Sequence, residues 1–173
     1  MFGPSTLRLD NKAVAVIPII DEESERKLAQ KLFPETDVIT FEARNHDEHM
    51  VAILSLPYLM NLVYARTLNG FDLQLLSRLG GSTFALQYTL AQSIVGEKTD
   101  LIQSLLCRNR FLKKYVSEFA SQIKEVLNSA NEEDRFSTFH NNLKVKMELD
   151  SDFIDASEKR RKAYNAVKNA HTN

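Results

Sequence analysis

The chain is poor in the residues that make disulfides and tight backbone turns. It has one cysteine, Cys107, no tryptophan, and only 5 glycines and 4 prolines among its 173 residues. A single cysteine excludes an internal disulfide and indicates a reducing, intracellular compartment. The glycines stand at positions 3, 70, 80, 81 and 96, and none of them forms Gly-x-Gly-x-x-Gly. The glycine-rich turn that carries a dinucleotide is therefore missing from this sequence.

The chain also has no excess of one charge and no long, uninterrupted apolar run. Its net charge is −1 with the signs interspersed, which predicts neither nucleic acid nor an anionic membrane as a partner. The most apolar stretch, residues 50–68, is interrupted by Asn61 and Arg66 and falls short of the roughly 20 apolar residues of a membrane span. We interpret it as a buried core helix. With no apolar leader after Met1, we expect a soluble, cytoplasmic protein.

The N-terminal part predicts a small βαβ unit. Residues 13–20 are apolar and rich in β-branched side chains, which indicates a buried strand. Asp21 then begins a helix that extends to about Phe33, and Pro34 follows its end. Residues 37–41 predict a second strand. Two strands joined through a helix at this spacing are expected to be parallel.

From residue 45 onward the chain has helical periodicity. Asn45 or His46 begins a helix to Leu68 that Pro57 should kink. Further helices are predicted over 72–79, 82–96, 99–128, 132–149 and 151–170, with Ser82 and Thr99 as caps. The helix from Thr99 has an apolar stripe made of Leu101, Leu105, Leu112, Val116, Phe119, Ile123 and Val126. The fold class is α+β, predominantly α-helical, with βαβ over 1–44 and a helical domain over 45–173.

Several short motifs occur in an order found in one enzyme family. They are Met1-Phe2-Gly3-Pro4, then His46-Asp47 at a helix start, the Leu56-Pro57 step, a loop over 94–101, and Asn109 on the following helix. In this order and spacing the chain resembles the C-terminal part of prephenate dehydrogenases. That family converts prephenate into 4-hydroxyphenylpyruvate with NAD or NADP, on the route to tyrosine.

The resemblance implies that this chain does not catalyse the reaction alone. In the family, Met-Phe-Gly-Pro usually follows a His-Pro pair with a catalytic histidine, and this sequence begins where that pair would end. We expect no catalytic residue and no cofactor-binding residue here, with NAD or NADP bound by a separate nucleotide-binding domain or chain. By resemblance the substrate-side residues are Ser55, Tyr58, Gln92 and Ser93. Tyr58 stands in place of a histidine, and Ser93 in place of an arginine that binds a carboxylate of prephenate.

The resemblance also implies a homodimer formed through long helices. Two functional hypotheses follow from the resemblance. The chain is part of a prephenate dehydrogenase, or it is a non-catalytic homodimeric module that binds a small aromatic ligand or a partner protein. Tyr58 and Ser93, which replace charged groups of the family, favour the second function, and the motif order favours the first.

Four other groups of residues each have a functional and a structural interpretation. His46, Asp47 and His49 are placed to bind a metal or to cap a helix, and the cap is favoured because no third ligand at tetrahedral spacing is evident. Cys107 is a nucleophile or a buried, inert thiol, and the thiol is favoured. Arg108 and Arg110 bind an anion or form a solvated helix face, and the solvated face is favoured. Four aromatic residues line a pocket or belong to the core, and the core is favoured: Tyr58, Tyr64, Phe84 and Tyr88. Gly80-Gly81 favours a helix C-terminus.

Overall fold

The computed structural model describes residues 12–169. The motif Met1-Phe2-Gly3-Pro4 and the expected helix end at Ala170 lie outside these residues. The chain forms two compact units, Met1–Ile53 and Leu54–Asn173. Helix accounts for 75% of the structure, with a small parallel sheet near the N-terminus. The predicted fold class, α+β and predominantly helical, is confirmed.

The first unit contains the predicted βαβ arrangement. Strand β1 (Ala13–Val16) and strand β2 (Asp37–Thr40) pair in parallel, with Val14 opposite Val38, and helix α1 (Glu22–Leu32) connects them. β1 ends before Pro18, whose nitrogen has no hydrogen to donate to a ladder. The expectation of a buried first strand is wrong, because its side chains alternate between exposed and half-buried. Within residues 12–169 no third strand covers the sheet.

Two carboxylates fix the start of α1. Asp21 is the N-cap, as predicted, and its Oδ2 accepts from the backbone N–H of Ser24 at 2.8 Å. One turn later, Glu25 reaches back, and its Oε1 accepts from the backbone N–H groups of Ile19, Ile20 and Asp21 at 3.1, 2.8 and 3.1 Å. These bonds hold the pKa of Glu25 below its ordinary value, the bond from Ile20 contributing most.

A long helical segment follows, and it begins earlier than predicted. Helix α2 (Ala43–Met50) starts after Glu42, whose backbone is extended and whose side chain makes no capping bond. His46 and Asp47 therefore lie inside the first turns rather than at the cap. A π-helical turn over Val51–Ser55 precedes helix α3 (Leu56–Thr67), and a 3-10 turn over Leu68–Gly70 ends the segment. The π turn lies immediately before Pro57, where a helix loses a backbone donor.

The apolar part of this segment is less buried than predicted. Ile53, Met60 and Val63 expose 60%, 44% and 57% of their surface, so the prediction of a buried core helix is wrong for one face. Among residues 12–169, Ala43–Gly70 is the one helix long and apolar enough to cross a membrane, with a mean hydropathy of 1.3 and 22% of its most apolar window buried. Length and composition alone do not distinguish a membrane span from a helix whose exposed face is covered by another protein.

Helices α4 (Leu73–Leu79) and α5 (Ser82–Val95) form a tight pair of consecutive elements. Asp72 caps α4, and its Oδ1 accepts from the N–H groups of Gln74 and Leu75, both at 3.0 Å. Gly80 ends α4, as expected, and its N–H donates to Leu76 O at 2.8 Å. Gly81, not the predicted Ser82, is the N-cap of α5.

The single long helix predicted from Thr99 is broken. The structure has helix α6 (Thr99–Cys107), an irregular turn, and helix α7 (Leu112–Ser129). The cap of α6 is Lys98 rather than Thr99. At the break, Asn109 Oδ1 accepts from the N–H of Phe111 at 3.0 Å, a local bond that competes with helical geometry. The apolar stripe spans both helices, so periodicity alone did not reveal the break.

The C-terminal helices complete the second unit. Helix α8 (Glu133–Met147) packs on α7, a 3-10 turn covers Ser151–Phe153, and helix α9 (Ala156–Asn169) packs on α5. Helix α3 lies at the centre, because it contacts α5, α6 and α7. α9 is largely exposed, with Tyr164 and Val167 half-buried.

Gly80→Ala should destabilise the second unit. A Cβ at Gly80 would lie against Cδ1 of the Phe84 ring and 2.9 Å from Leu76 O, so the ring or the backbone must move. We expect a loss of about 1–3 kcal/mol in the free energy of unfolding, the usual cost of overpacking. Gly70→Ala is the control, because nothing lies within 4 Å of its Cβ position. It should be neutral or slightly stabilising. Equal unfolding midpoints for both variants would contradict the packing described here.

Glu25 should contribute stability that depends on pH. Its pKa is lowered in the folded chain, so the contribution is present above its ordinary value near 4.5 and is lost as pH falls through the lower, folded value. NMR titration of the Glu25 carboxyl carbon measures the shift directly. Glu25→Gln should lower stability at neutral pH and converge with wild type in acid. Glu22→Gln, in the same helical turn, serves as the matched control. An unshifted titration of Glu25 would refute this.

Candidate functional site

A cavity between three helices is the candidate site of the second unit. It has a volume of about 620 Å³ and lies where the end of α4 and one face of α5 meet α9. Phe84, Tyr88 and Gln92 line it from α5, each one helical turn after the last. Arg78 lines it from α4 and Lys168 from α9. Pockets of this volume are typical of small-molecule sites.

Two stacked aromatic rings form one wall of this cavity. The centroids of Phe84 and Tyr88 are 5.3 Å apart and the ring planes differ by 19°. Both residues are half-buried, so their rings face a cavity rather than a closed core. Gly80 contributes to this placement, since any side chain there would displace Phe84. Of the four aromatic residues predicted to share a pocket or a core, Phe84 and Tyr88 share this cavity, whereas Tyr58 and Tyr64 lie on α3 and do not line it.

A hydrogen bond between a buried and a half-buried amide joins α3 to α5. Asn61 is 3% exposed, and its Oδ1 accepts from Gln87 Nε2 at 2.7 Å. Asn61 Nδ2 also donates to Pro57 O at 2.8 Å. Buried amides are costly unless their groups are paired, and here they are. The pair therefore fixes how α5, which carries the cavity's aromatic wall, is placed against α3.

The four substrate-side residues implied by the resemblance are not gathered in one pocket. Ser55 is 1% exposed, and its Oγ donates to Leu105 O at 2.9 Å, so it ties the start of α3 to α6. Gln92 lines the α4–α5–α9 cavity, which Ser55, Tyr58 and Ser93 do not. Ser93 is exposed on α5. Ser55 is therefore in a structural position, and Gln92 is the member of the four that lines this cavity.

Tyr58 has an altered environment near the end of α5. Partial burial raises the pKa of its phenol, and the nearby carboxylate of Glu97 raises it further. The phenol is therefore kept in its protonated, hydrogen-bond-donating form. A donor of this kind is able to bind a ligand oxygen, although no described cavity contains it.

The histidines of α2 do not form a metal site with other described residues. Within residues 12–169 no group of three or more His, Cys, Asp or Glu side chains is placed to hold an ion. His49 Nδ1 lies 2.7 Å from Asn45 O, and His46 Nδ1 lies 3.3 Å from Asp47 Oδ1. Both imidazoles also pack on the ring of Phe41, with centroids 5.7 and 6.5 Å away. Local hydrogen bonds and aromatic contacts account for them.

Cys107 and the neighbouring arginines occupy the break between α6 and α7. Cys107 is the last residue of α6 and is exposed, so the prediction of a buried thiol is wrong. The helix ends at this point because of the local Asn109 bond. Arg108 and Arg110 are both exposed, and the guanidinium carbon of Arg110 lies 4.9 Å from the Phe111 ring centroid. The arginines thus form the solvated surface that was favoured.

Comparison with known proteins does not assign the chain to a family. No family model, no curated protein and no solved structure matches it. The resemblance to prephenate dehydrogenases therefore depends on the motifs alone. The sequence signal that could have located the cavity is the four-residue spacing of Phe84, Tyr88 and Gln92.

The Asn61–Gln87 bond should be a coupled, stabilising contact. Asn61→Ala leaves the half-buried amide of Gln87 without its acceptor, and we expect a cost of about 1–3 kcal/mol. Gln87→Ala should give a similar loss. In a double-mutant cycle by denaturant unfolding, the coupling free energy should be about 0.5–3 kcal/mol. Asn69→Ala, at an exposed position, should change stability by less than about 0.5 kcal/mol. Strict additivity would show that the two amides do not interact in solution.

Proposed function

We propose that the chain is a homodimeric helical module that resembles the C-terminal part of prephenate dehydrogenases and is not catalytic alone. The observation that supports this proposal is that apolar side chains on two helices stay exposed in the single chain. In the proposal, NAD or NADP belongs to a separate nucleotide-binding domain or chain. The missing glycine-rich turn in this sequence supports that division.

The exposed apolar surface begins in the C-terminal half of α7. Leu112 is buried and Val116 is half-buried, but Ile123 exposes 46% and Val126 39% of its surface. Leu127, one residue on, exposes 62%. An apolar stripe that keeps its spacing through partly exposed positions indicates that a second molecule covers the exposed part.

Helix α8 continues this exposed apolar surface. Phe136, Leu143 and Met147 expose 40%, 42% and 51%. Val126 of α7 and Leu143 of α8 also line an open groove between the two helices, about 870 Å³ in volume. We call six of the exposed apolar residues of these two helices the hairpin surface; its members are Ile123, Val126, Leu127, Phe136, Leu143 and Met147.

A second copy of this chain is the partner that suits the hairpin surface. In a two-fold dimer, each copy's apolar patch is covered by the same patch of the other copy. Obligate homodimer interfaces resemble a protein core divided in two, and they are rich in apolar side chains. The family resemblance, with its dimers built from long helices, favours the same arrangement.

The apolar segment Ala43–Gly70 suggests a membrane-spanning helix as the competing interpretation. Polar contacts favour a helix packed in protein, because Ser55 and Asn61 bind Leu105 O, Pro57 O and Gln87. Arg66 lies near its end. We therefore propose a soluble, cytoplasmic protein. Recovery of the protein in the membrane pellet after ultracentrifugation of a detergent-free lysate would contradict this.

The chain should sediment as a dimer at micromolar concentration, and charges on the hairpin surface should dissociate it. Val126→Glu with Leu143→Glu places unpaired carboxylates in the proposed interface. Each costs on the order of 1–3 kcal/mol, and two-fold symmetry doubles the count, so the dimer Kd should rise about a hundredfold or more. Sedimentation equilibrium measures this.

The control for this experiment is Ile20→Glu, which introduces the same charge at a position that is 94% exposed in the other unit. It should leave the dimer Kd unchanged. Circular dichroism must show equal helix content in all variants. A wild-type chain that is monomeric at micromolar concentration would overturn the proposal.

A further inference from the structure

The α4–α5–α9 cavity has an uncompensated positive charge. Arg78 and Lys168 both line it, and no acidic side chain does. Within residues 12–169 neither cation has a carboxylate partner, whereas Lys159 and Arg161 of α9 are paired with Asp152 and Glu158. Two unpaired cations at one cavity attract an anion, and a guanidinium binds a carboxylate with particular geometric fit.

The wall that α5 contributes to the cavity is aromatic and uncharged. The stacked rings of Phe84 and Tyr88 offer a flat aromatic surface on two successive turns. A planar ring stacks on such a surface more favourably than a saturated one. The cavity therefore combines an aromatic platform with cations contributed by the two flanking helices.

Neutral hydrogen-bonding groups complete the lining. Thr89, Gln92 and Tyr164 present a hydroxyl, an amide and a phenol, and none of these is bonded to another described residue. The Ser77 hydroxyl, in contrast, is used within its helix, since it donates to Leu73 O at 2.9 Å. The three free groups are available to bind a polar substituent on a ligand ring.

Size restricts the class of ligand. About 620 Å³ suits a molecule with one aromatic ring and a short side chain, and is at the scale of ordinary small-molecule sites. The lining residues belong to three helices of the second unit, α4, α5 and α9.

We propose that this cavity binds a small aromatic carboxylate, with its ring on Phe84 and Tyr88 and its carboxylate between Arg78 and Lys168. The proposal does not depend on the proposed dimerisation, because it uses only α4, α5 and α9 of one chain. It differs from the substrate-side set implied by the family resemblance, since of those residues it involves Gln92 alone.

Calorimetric titration of the full chain with three probes tests whether the carboxylate and the aromatic ring of the ligand each contribute to its affinity. The first probe is 4-hydroxyphenylacetate, which should bind saturably. The second is its neutral analogue 4-hydroxyphenethyl alcohol, and the third is the saturated acid cyclohexylacetate. Each of these should bind about tenfold more weakly or worse, because the alcohol loses the charge-assisted contact and the saturated acid loses the stacking together with the ring hydroxyl. Equal affinity for all three probes would overturn the proposal.

Variants then locate the site. Arg78→Gln and Lys168→Gln should each weaken 4-hydroxyphenylacetate binding by about tenfold. Lys124→Gln makes the same change on an exposed face of α7 away from the cavity, and it should bind like wild type. Phe84→Leu should weaken the two aromatic probes and leave cyclohexylacetate unchanged. Circular dichroism confirms folding of each variant. No saturable binding by wild type, or equal losses with Lys124→Gln, would refute the site.

Discussion

The contact between α3 and α5 is the constraint on which the second unit depends. α3 also contacts α6 and α7, and α5 also contacts α9, so these two helices connect the others. Their interface contains the Asn61–Gln87 bond, which is short and joins a buried amide to a half-buried one. An apolar interface tolerates sliding by a turn, whereas an amide pair is satisfied in one register. The register of α5 in turn sets where Phe84 and Tyr88 meet α9.

Much of the fold was predictable from local chemistry. The parallel βαβ unit followed from two β-branched runs around a helix, and the starts of α1 and α4 from Asp21 and Asp72, whose side chains make capping bonds. The starts at Ser82 and Thr99 were misplaced by one residue, because Gly81 and Lys98 cap their helices by backbone conformation without a side-chain bond. The break after α6 was missed because the apolar spacing continues across it. Asn109 was the available signal, since asparagine readily bonds to nearby backbone.

The candidate site was only partly predictable. Phe84, Tyr88 and Gln92 recur every four residues, so sequence places them on one face of α5. Arg78 and Lys168 are 90 residues apart along the chain and come together only because α9 packs on α5. Periodicity describes the face of one helix, and it does not specify which distant helix covers that face. The set inferred from motif order does not line this cavity together, since Gln92 lines it and Ser55 serves the α3–α6 contact.

The burial along α7 shows how one helix can serve two kinds of contact. Its stripe keeps the spacing of three and four from Leu112 to Val126. Leu112 is buried and Val116 is half-buried, whereas Ile123 and Val126 are exposed. If the C-terminal half of α7 were an ordinary solvated helix, polar side chains would be expected at Ile123 and Val126. A helix face that contacts only water does not require apolar residues at a regular spacing. Regular apolar spacing that continues through exposed positions is what a shared interface requires. The cavity at α9 differs in this respect: its lining mixes rings, cations and hydroxyls, which suits a small anion and not an apolar helix face. The two surfaces thus indicate different partners for the same unit.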